Sequence, residues 1–298
     1  VNEVQQITVG VGIHPKTGLP DVGSMRAARQ AAWVGSRVGA EVTLVHAAWA
    51  EDGTGPAEAP PQAESGLNDL CMLMGADGAR ASYEFVTAHP WHALVNRALE
   101  GKADLVIAGK RSSSERIRRR VGSTAMRVLR YCPAPVWLVK PDHDLTHRHV
   151  LASTDLSPVS ERAVETAAWI SSQSSGELHV LHAWNLTPEQ QRDSAELAET
   201  EYKELVDEAR AQALSAVEHS VSGLEIDPEL QLERGIAHQE ILKEVEEEHP
   251  DLLVMGSLSV GGRPGFHMGT VAERVLGQVD ESILAFKPGD FVCPVTAS

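Results

Sequence analysis

The sequence predicts two tandem α/β domains. Each is a five-stranded, parallel, doubly wound sheet, Rossmann-like, with helices on both faces. Three observations predict this. The chain repeats itself, short aliphatic runs alternate with helical patterns in both halves, and a glycine-rich segment follows the fourth strand of the second half.

The repeat sets the domain plan. Ala103–Gly109 aligns with Pro250–Gly256, Gly122–Leu129 with Gly269–Leu276, and Lys140-Pro141 with Lys287-Pro288, all at one offset of 147. Earlier in each half the offset is 136: Ala31-Ala32-Trp33 aligns with Ala167-Ala168-Trp169, and His46 with His182. Near the first strand it is 143, so the first copy holds seven extra residues within His14–Pro20. Gly and Pro mark that insert as a loop. The second copy gained 11 residues in its middle. The expected domains are residues 1–143 and 149–298, joined by a short polar linker near Asp142–Arg148.

In the second half the expected strands are His149–Thr154, Glu177–His182, Glu229–Glu233, Leu252–Met255 and Ser282–Phe286. They are short and mostly apolar, as strands covered on both faces should be. Ser157-Pro158 reads as an N-cap with Pro at the first helical position, opening a helix to about Ser171. Thr187-Pro188-Glu189-Gln190 is a capping box. The helix it opens would place Leu197, Leu205, Val206, Ala209, Ala213 and Val217 on one face. A third helix covers Ala237–Glu248 and a fourth follows Gly269. The first half repeats this order, with Glu51–Gly66 expected as an exposed loop.

Composition narrows the function. The 298 residues carry a net charge of −16. Residues 1–148 hold 17 Lys/Arg and 15 Asp/Glu, and residues 149–298 hold 9 and 27, giving +2 and −18. That acidity argues against broad nucleic-acid binding by the second half. No run of 18 apolar residues suggests a membrane span, and the first residues carry no signal-peptide pattern. Cys71, Cys132 and Cys293 lie far apart, with neither metal nor redox spacing. A cytoplasmic location is the expectation.

The chemistry concentrates after strand four of the second half. Gly256–Thr270 contains five Gly among the residues from 256 to 269 and runs into a helix. Glycines let backbone N–H groups approach a ligand, and a helix start favours phosphate. Asp155 lies beyond strand one, on the carboxyl edge where doubly wound sheets bind ligands. A carboxylate there suits a ribose hydroxyl, or a phosphate held through a metal ion.

These residues resemble the universal stress protein family in its tandem form, and the ending Ala285–Val292 looks like its E-type members. The resemblance implies an adenine-nucleotide α-hydrolase-like fold. The family's nucleotide-binding members carry Gly, two residues, Gly, nine residues, Gly, then Ser or Thr. Gly256, Gly269 and Thr270 fit that spacing, with Ser259 in place of the second Gly. The resemblance further implies Ser153, Asp155, Ala183, Met255 and Val271 as cofactor-binding neighbours, Ala183 beside the adenine. The first half keeps Gly109, Gly122 and Ser123, with Ser112 at the second Gly, but Gly12 stands where Asp155 stands. Its arginine-rich loop, Arg116–Arg120, reads as a solvated segment.

The expected activity is therefore that of a stress-response sensor or adaptor. It would bind ATP, with or without Mg²⁺, mainly in the second domain. A small-ligand or interaction module with decayed nucleotide sites is the alternative, and a slow nucleotide hydrolase a third reading. No catalytic residue and no protein metal site is assigned, because no nucleophile–base pair is visible. His46 and His182 read as structural, Trp33 and Trp169 as helix-to-sheet packing, and Glu244, Glu246, Glu247 and Glu248 as a solvated helix end. The resemblance implies pairing of Pro135–Val139 with Ser282–Phe286 as an intrachain pseudo-dimer, as exposed apolar edge strands invite, with a homodimer of chains as a possible further association whose mode the sequence does not fix.

Overall fold

A computed structural model describes residues 3–14, 16–49, 55, 57–110, 122–140, 145, 147–194, 197–258 and 267–295. Ser112, Arg116–Arg120 and Ser259 lie outside the described residues. The first half runs β1 (Gln6–Gly10), α1 (Val22–Val38), β2 (Glu41–Ala47), α2 (Ala63–Ala76), β3 (Arg80–Val86), α3 (Pro90–Leu99), β4 (Leu105–Gly109), α4 (Ser123–Tyr131) and β5 (Val136–Val139). The second half runs β6 (His149–Ser153), α5 (Pro158–Ser174), β7 (Glu177–Trp184), α6 (Pro188–Asp193), α7 (Glu199–Val221), β8 (Glu229–Arg234), α8 (Ala237–Glu248), β9 (Leu252–Gly256), α9 (Thr270–Leu276) and β10 (Ser282–Phe286).

All ten strands form one sheet, in the order β3-β2-β1-β4-β5-β10-β9-β6-β7-β8. Within each half the pairing is parallel. The halves meet through β5 and β10, antiparallel, with Leu284 opposite Trp137. Strands β5 and β10 are buried along their whole length, which their aliphatic composition allows. Two apolar layers flank the sheet, one under α1 and α5, the other under α3, α4, α8 and α9.

Several expectations change. Trp33 and Trp169 do not simply pack on their own sheets. Their rings meet each other across the two halves, with centroids 5.7 Å apart. The linker is not merely polar, because His147 is only 3% exposed. Its ring lies against Trp33 and Trp137, and its Nε2 is 3.0 Å from Gln30 Oε1. The helix expected from Thr187 onward is two helices. The capping box at Thr187 holds, but α6 stops at Asp193 and α7 starts at Glu199. Ser194 Oγ bonds the Gln191 carbonyl, and Glu201 accepts the Ala198 amide to open a fresh helix. Leu197 therefore precedes α7 and is exposed. Ala63–Gly66, expected in a loop, opens α2.

Glu244 departs from the solvated run, being 7% exposed on the sheet side of α8, while Glu246, Glu247 and Glu248 are exposed. The insert after β1 closes on itself: Ile13 bridges Pro20, and Gly18 takes the left-handed φ of 68° that the turn requires.

Candidate functional site

In each half the order 3-2-1-4-5 places a switch point between the first and fourth strands. The helices after those two strands lie on opposite faces and leave a crevice at the carboxyl edge. In the second half this crevice lies between the ends of β6 and β9. Ser153 pairs with Met255 across it, and Leu181 flanks Ser153 on the other side. Asp155 and Gly256 lie just beyond the paired residues, and Ala183 is the penultimate residue of β7 alongside. The sheet thus brings Ser153, Asp155, Ala183, Met255 and Gly256 to one edge. Met255 is buried in the core, so only its backbone faces a ligand there.

Asp155 is exposed. Its Oδ1 accepts the Ser157 amide at 3.1 Å and the Ser157 hydroxyl. Leu156 has a φ of 60°, a left-handed conformation uncommon for a branched residue. Its amide bonds Thr154 Oγ1 at 3.0 Å, which in turn lies 3.0 Å from Ser160 Oγ. This hydroxyl network holds a sharp turn that leaves Asp155 exposed just beyond strand one, and Ser157 then caps α5.

The other wall begins at Gly256. A Cβ there would meet Val159 Cγ1 at 3.3 Å, a tight contact with a side chain that can shift. Ser257 is pinned to the next strand: its amide and hydroxyl both donate to the Phe286 carbonyl, at 2.8 and 2.9 Å. Gly269, the N-cap of α9, donates its amide to the Ser257 carbonyl at 2.8 Å. The two ends of the glycine segment are therefore tied together. A Cβ on Gly269 would meet nothing nearer than 3.6 Å among the described residues, so none of them demands glycine there by packing. Thr270 is exposed and Val271 half-buried at the start of α9, where first-turn amides have no partner within the helix.

The first domain differs. A Cβ on Gly109 would fall inside the backbone of Gly23, at the start of α1. Glycine at the end of β4 is thus a close-packing requirement between helix and strand. Gly122 caps α4 and Ser123 starts it, and no described residue lies within 4 Å of a Cβ built on Gly122. Gly12 has no carboxylate of its own, but Asp21 reaches over it. A Cβ on Gly12 would lie 2.5 Å from Asp21 Oδ2. Asp21 Oδ1 caps α1 by accepting the Ser24 amide at 2.7 Å. Comparing strand ends alone missed Asp21. The available signal was an Asp just ahead of a helical pattern.

The two strand-two histidines make one contact twice. His182 Nδ1 lies 2.9 Å from the Thr154 carbonyl, and His46 Nδ1 2.9 Å from the Val11 carbonyl. Each fastens the exit of the first strand to the second. Lys110 and Lys287 are buried at the boundary between the halves. Burial lowers Lys110 to about 7, against the pull of Asp280 and Glu281. Burial likewise lowers Lys287 to about 8. No group of three metal-ligating side chains occurs among the described residues. None of the described helices is long and apolar enough to cross a membrane.

A duplicated doubly wound fold with a switch point in each half defines a class of tandem α/β proteins. The family model described as the universal stress protein family matches residues 18–140 and 146–287, and the chain belongs to that family. It is 24% identical over 215 residues to universal stress protein E of Salmonella typhi, covering 69% of this chain and 68% of that one. The relative of the same name in Escherichia coli K12 is also 24% identical, over 69% and 67%. Among solved structures, the fold is similar to a functionally unknown protein of Pseudomonas aeruginosa PAO1, with a TM-score of 0.72 at 18% identity over 97% of this chain and 94% of that one. It is also similar to a universal stress protein of Archaeoglobus fulgidus, with a TM-score of 0.67 at 18% identity over 94% and 98%.

Proposed function

We propose that this universal stress protein binds ATP or a related adenine nucleotide in its second domain, and that it acts as a sensor or adaptor in the stress response. One observation carries the reading. At the second switch point, an exposed carboxylate just beyond strand one shares the carboxyl edge of the sheet with a helix start, tied to Ser257 beyond β9, whose capping glycine meets no described residue closer than ordinary contact. In this reading, Asp155 takes a ribose hydroxyl or a Mg²⁺ on the phosphates, Ser153 and the Met255 and Gly256 backbone line the cleft, and Ala183 lies against the base. Gly269, Thr270 and Val271 meet the phosphates, with Ser259 completing the motif. A phosphate cradle without a placed base supports binding far better than turnover.

In the first domain, Gly109 is explained by its contact with Gly23, and the carboxylate near Gly12 is committed to capping α1. Gly109 is therefore assigned a packing role in this reading, and Ser112, Gly122 and Ser123 make at most a weaker second site. Equilibrium dialysis with millimolar ATP and Mg²⁺ tests the proposal. Binding by the parent chain and its loss in Thr270→Ala and Asp155→Ala is the expected result. Absence of binding by the parent would leave a module for other ligands or partners.

A further inference from the structure

The second domain's crevice is not built by that domain alone. Its far wall begins at His267, two residues before the Gly269 cap. The His267 carbonyl accepts from Lys287 Nζ. The His267 ring lies between two others. Phe291, from the chain's final segment, is 6.4 Å away at 88°. Tyr131, the last residue of α4 in the first domain, is 5.6 Å away at 57°. Such edge and tilted arrangements are the favoured geometries of aromatic pairs.

Tyr131 is itself fixed from behind. Trp91 of α3 lies 5.4 Å from it, and the Arg127 guanidinium stands over the Trp91 ring at 5.6 Å. Beyond His267 the chain has little freedom. Met268 is buried in the core, and the Gly269 amide is bonded to Ser257. One turn further, Glu273 of α9 pairs with Arg130 of α4.

The offset of 147 places Gln278 at the position of Tyr131, so the second domain presents no matching ring to the first. Lys140 is the counterpart of Lys287, and its ammonium lies 3.3 Å from Asp280 of the second domain. Lys110 Nζ also reaches into the second domain, donating to the Val279 and Glu281 carbonyls.

From these contacts we propose that the first domain is the seat of the second domain's binding crevice, with Tyr131 a positioning residue that acts through His267 on Gly269 and Thr270. Its consequence for ligand affinity rests on the nucleotide reading above. Its mechanical content does not. The duplication then has a use although only one half binds: the first copy holds the wall that the second copy needs.

The test uses the full chain and two readouts. Hydrogen exchange of the nucleotide-free protein is compared between the parent, Tyr131→Phe, Tyr131→Leu and Lys287→Met. Tyr131→Leu and Lys287→Met are expected to speed exchange over 268–276 by about three- to ten-fold, with β1, β2 and β7 unchanged, and Tyr131→Phe to match the parent. Where ATP binds the parent, Tyr131→Leu is expected to weaken it by a similar factor and Tyr131→Phe to leave it intact. Unchanged exchange at 268–276 in both Tyr131→Leu and Lys287→Met overturns the proposal, as does equal acceleration throughout the chain. If the parent binds no ATP, the nucleotide reading fails, while exchange at 268–276 still decides the seat.

Discussion

Asp21 Oδ2 stands 2.5 Å from the point a Cβ on Gly12 would occupy. The carboxylate that the second domain carries at the end of its first strand, the first domain carries at its helix cap. Writing the second domain's residue into the first, as Gly12→Asp, would force two carboxylates together. We expect that substitution to destabilise the chain by about 1–3 kcal/mol. Adding Asp21→Ser, which copies Ser157, should recover most of that loss. Urea denaturation of both single variants and the double measures the coupling, and additive effects would show that Asp21 does not fill the Gly12 position.

The two strand-four glycines should separate packing from binding. Gly109→Ala drives a methyl into the Gly23 backbone, whereas Gly256→Ala meets only a Val159 methyl at 3.3 Å. The first should cost about 2–3 kcal/mol, and the second under about 1 kcal/mol, by the general cost of overpacking. Gly256→Ala should nonetheless weaken nucleotide binding. Thermal melts with and without ATP read both effects, and equal destabilisation by the two substitutions would count against the distinction.

How far the sequence was legible follows from what each feature depends on. The strands and the register of the repeat depend on local aliphatic runs, and those are written in order along the chain. The His46 and His182 roles came from their repeat position, and each makes the same 2.9 Å contact. What was not legible depends on the meeting of distant segments. Asp21 reaches Gly12 only because the insert folds back through the Ile13–Pro20 bridge. Trp33 meets Trp169 only because β5 and β10 bring the halves together. Glu244 sits in a run of glutamates, and only helical phase turns it inward.

Replacing either strand-two histidine should be a stability change of similar size in both domains. His46→Ala and His182→Ala each leave the carbonyl at the end of strand one without its ring partner. The expected cost is about 1–2 kcal/mol each. Only His182→Ala should also disturb the turn that presents Asp155. Denaturation midpoints give the first comparison and ATP dialysis the second. A large stability loss confined to one domain would contradict the shared role.

Lys110 makes stability depend on pH. Its folded value is lowered to about 7, from an ordinary value of 10.5. Between those values the unfolded chain binds more protons than the folded one, so stability rises with pH across that window and is flat below it. Lys287, lowered to about 8, adds the same sign over a narrower window. Urea midpoints measured from about pH 6, below the window, to about pH 10, near its upper end, should climb in the parent. They should climb less in Lys110→Met, and an unchanged slope in that variant would contradict the assignment.

The central claim is that one crevice of the two, the second, holds an adenine nucleotide. Photolabelling of the full chain with 8-azido-ATP, followed by peptide mapping, tests it most directly. Label is expected on the peptide containing Ala183 or the one containing Met255, suppressed by excess ATP and lost in Asp155→Ala. Label on the first domain's β2 or β4 peptides, or label that excess ATP does not suppress, would contradict it.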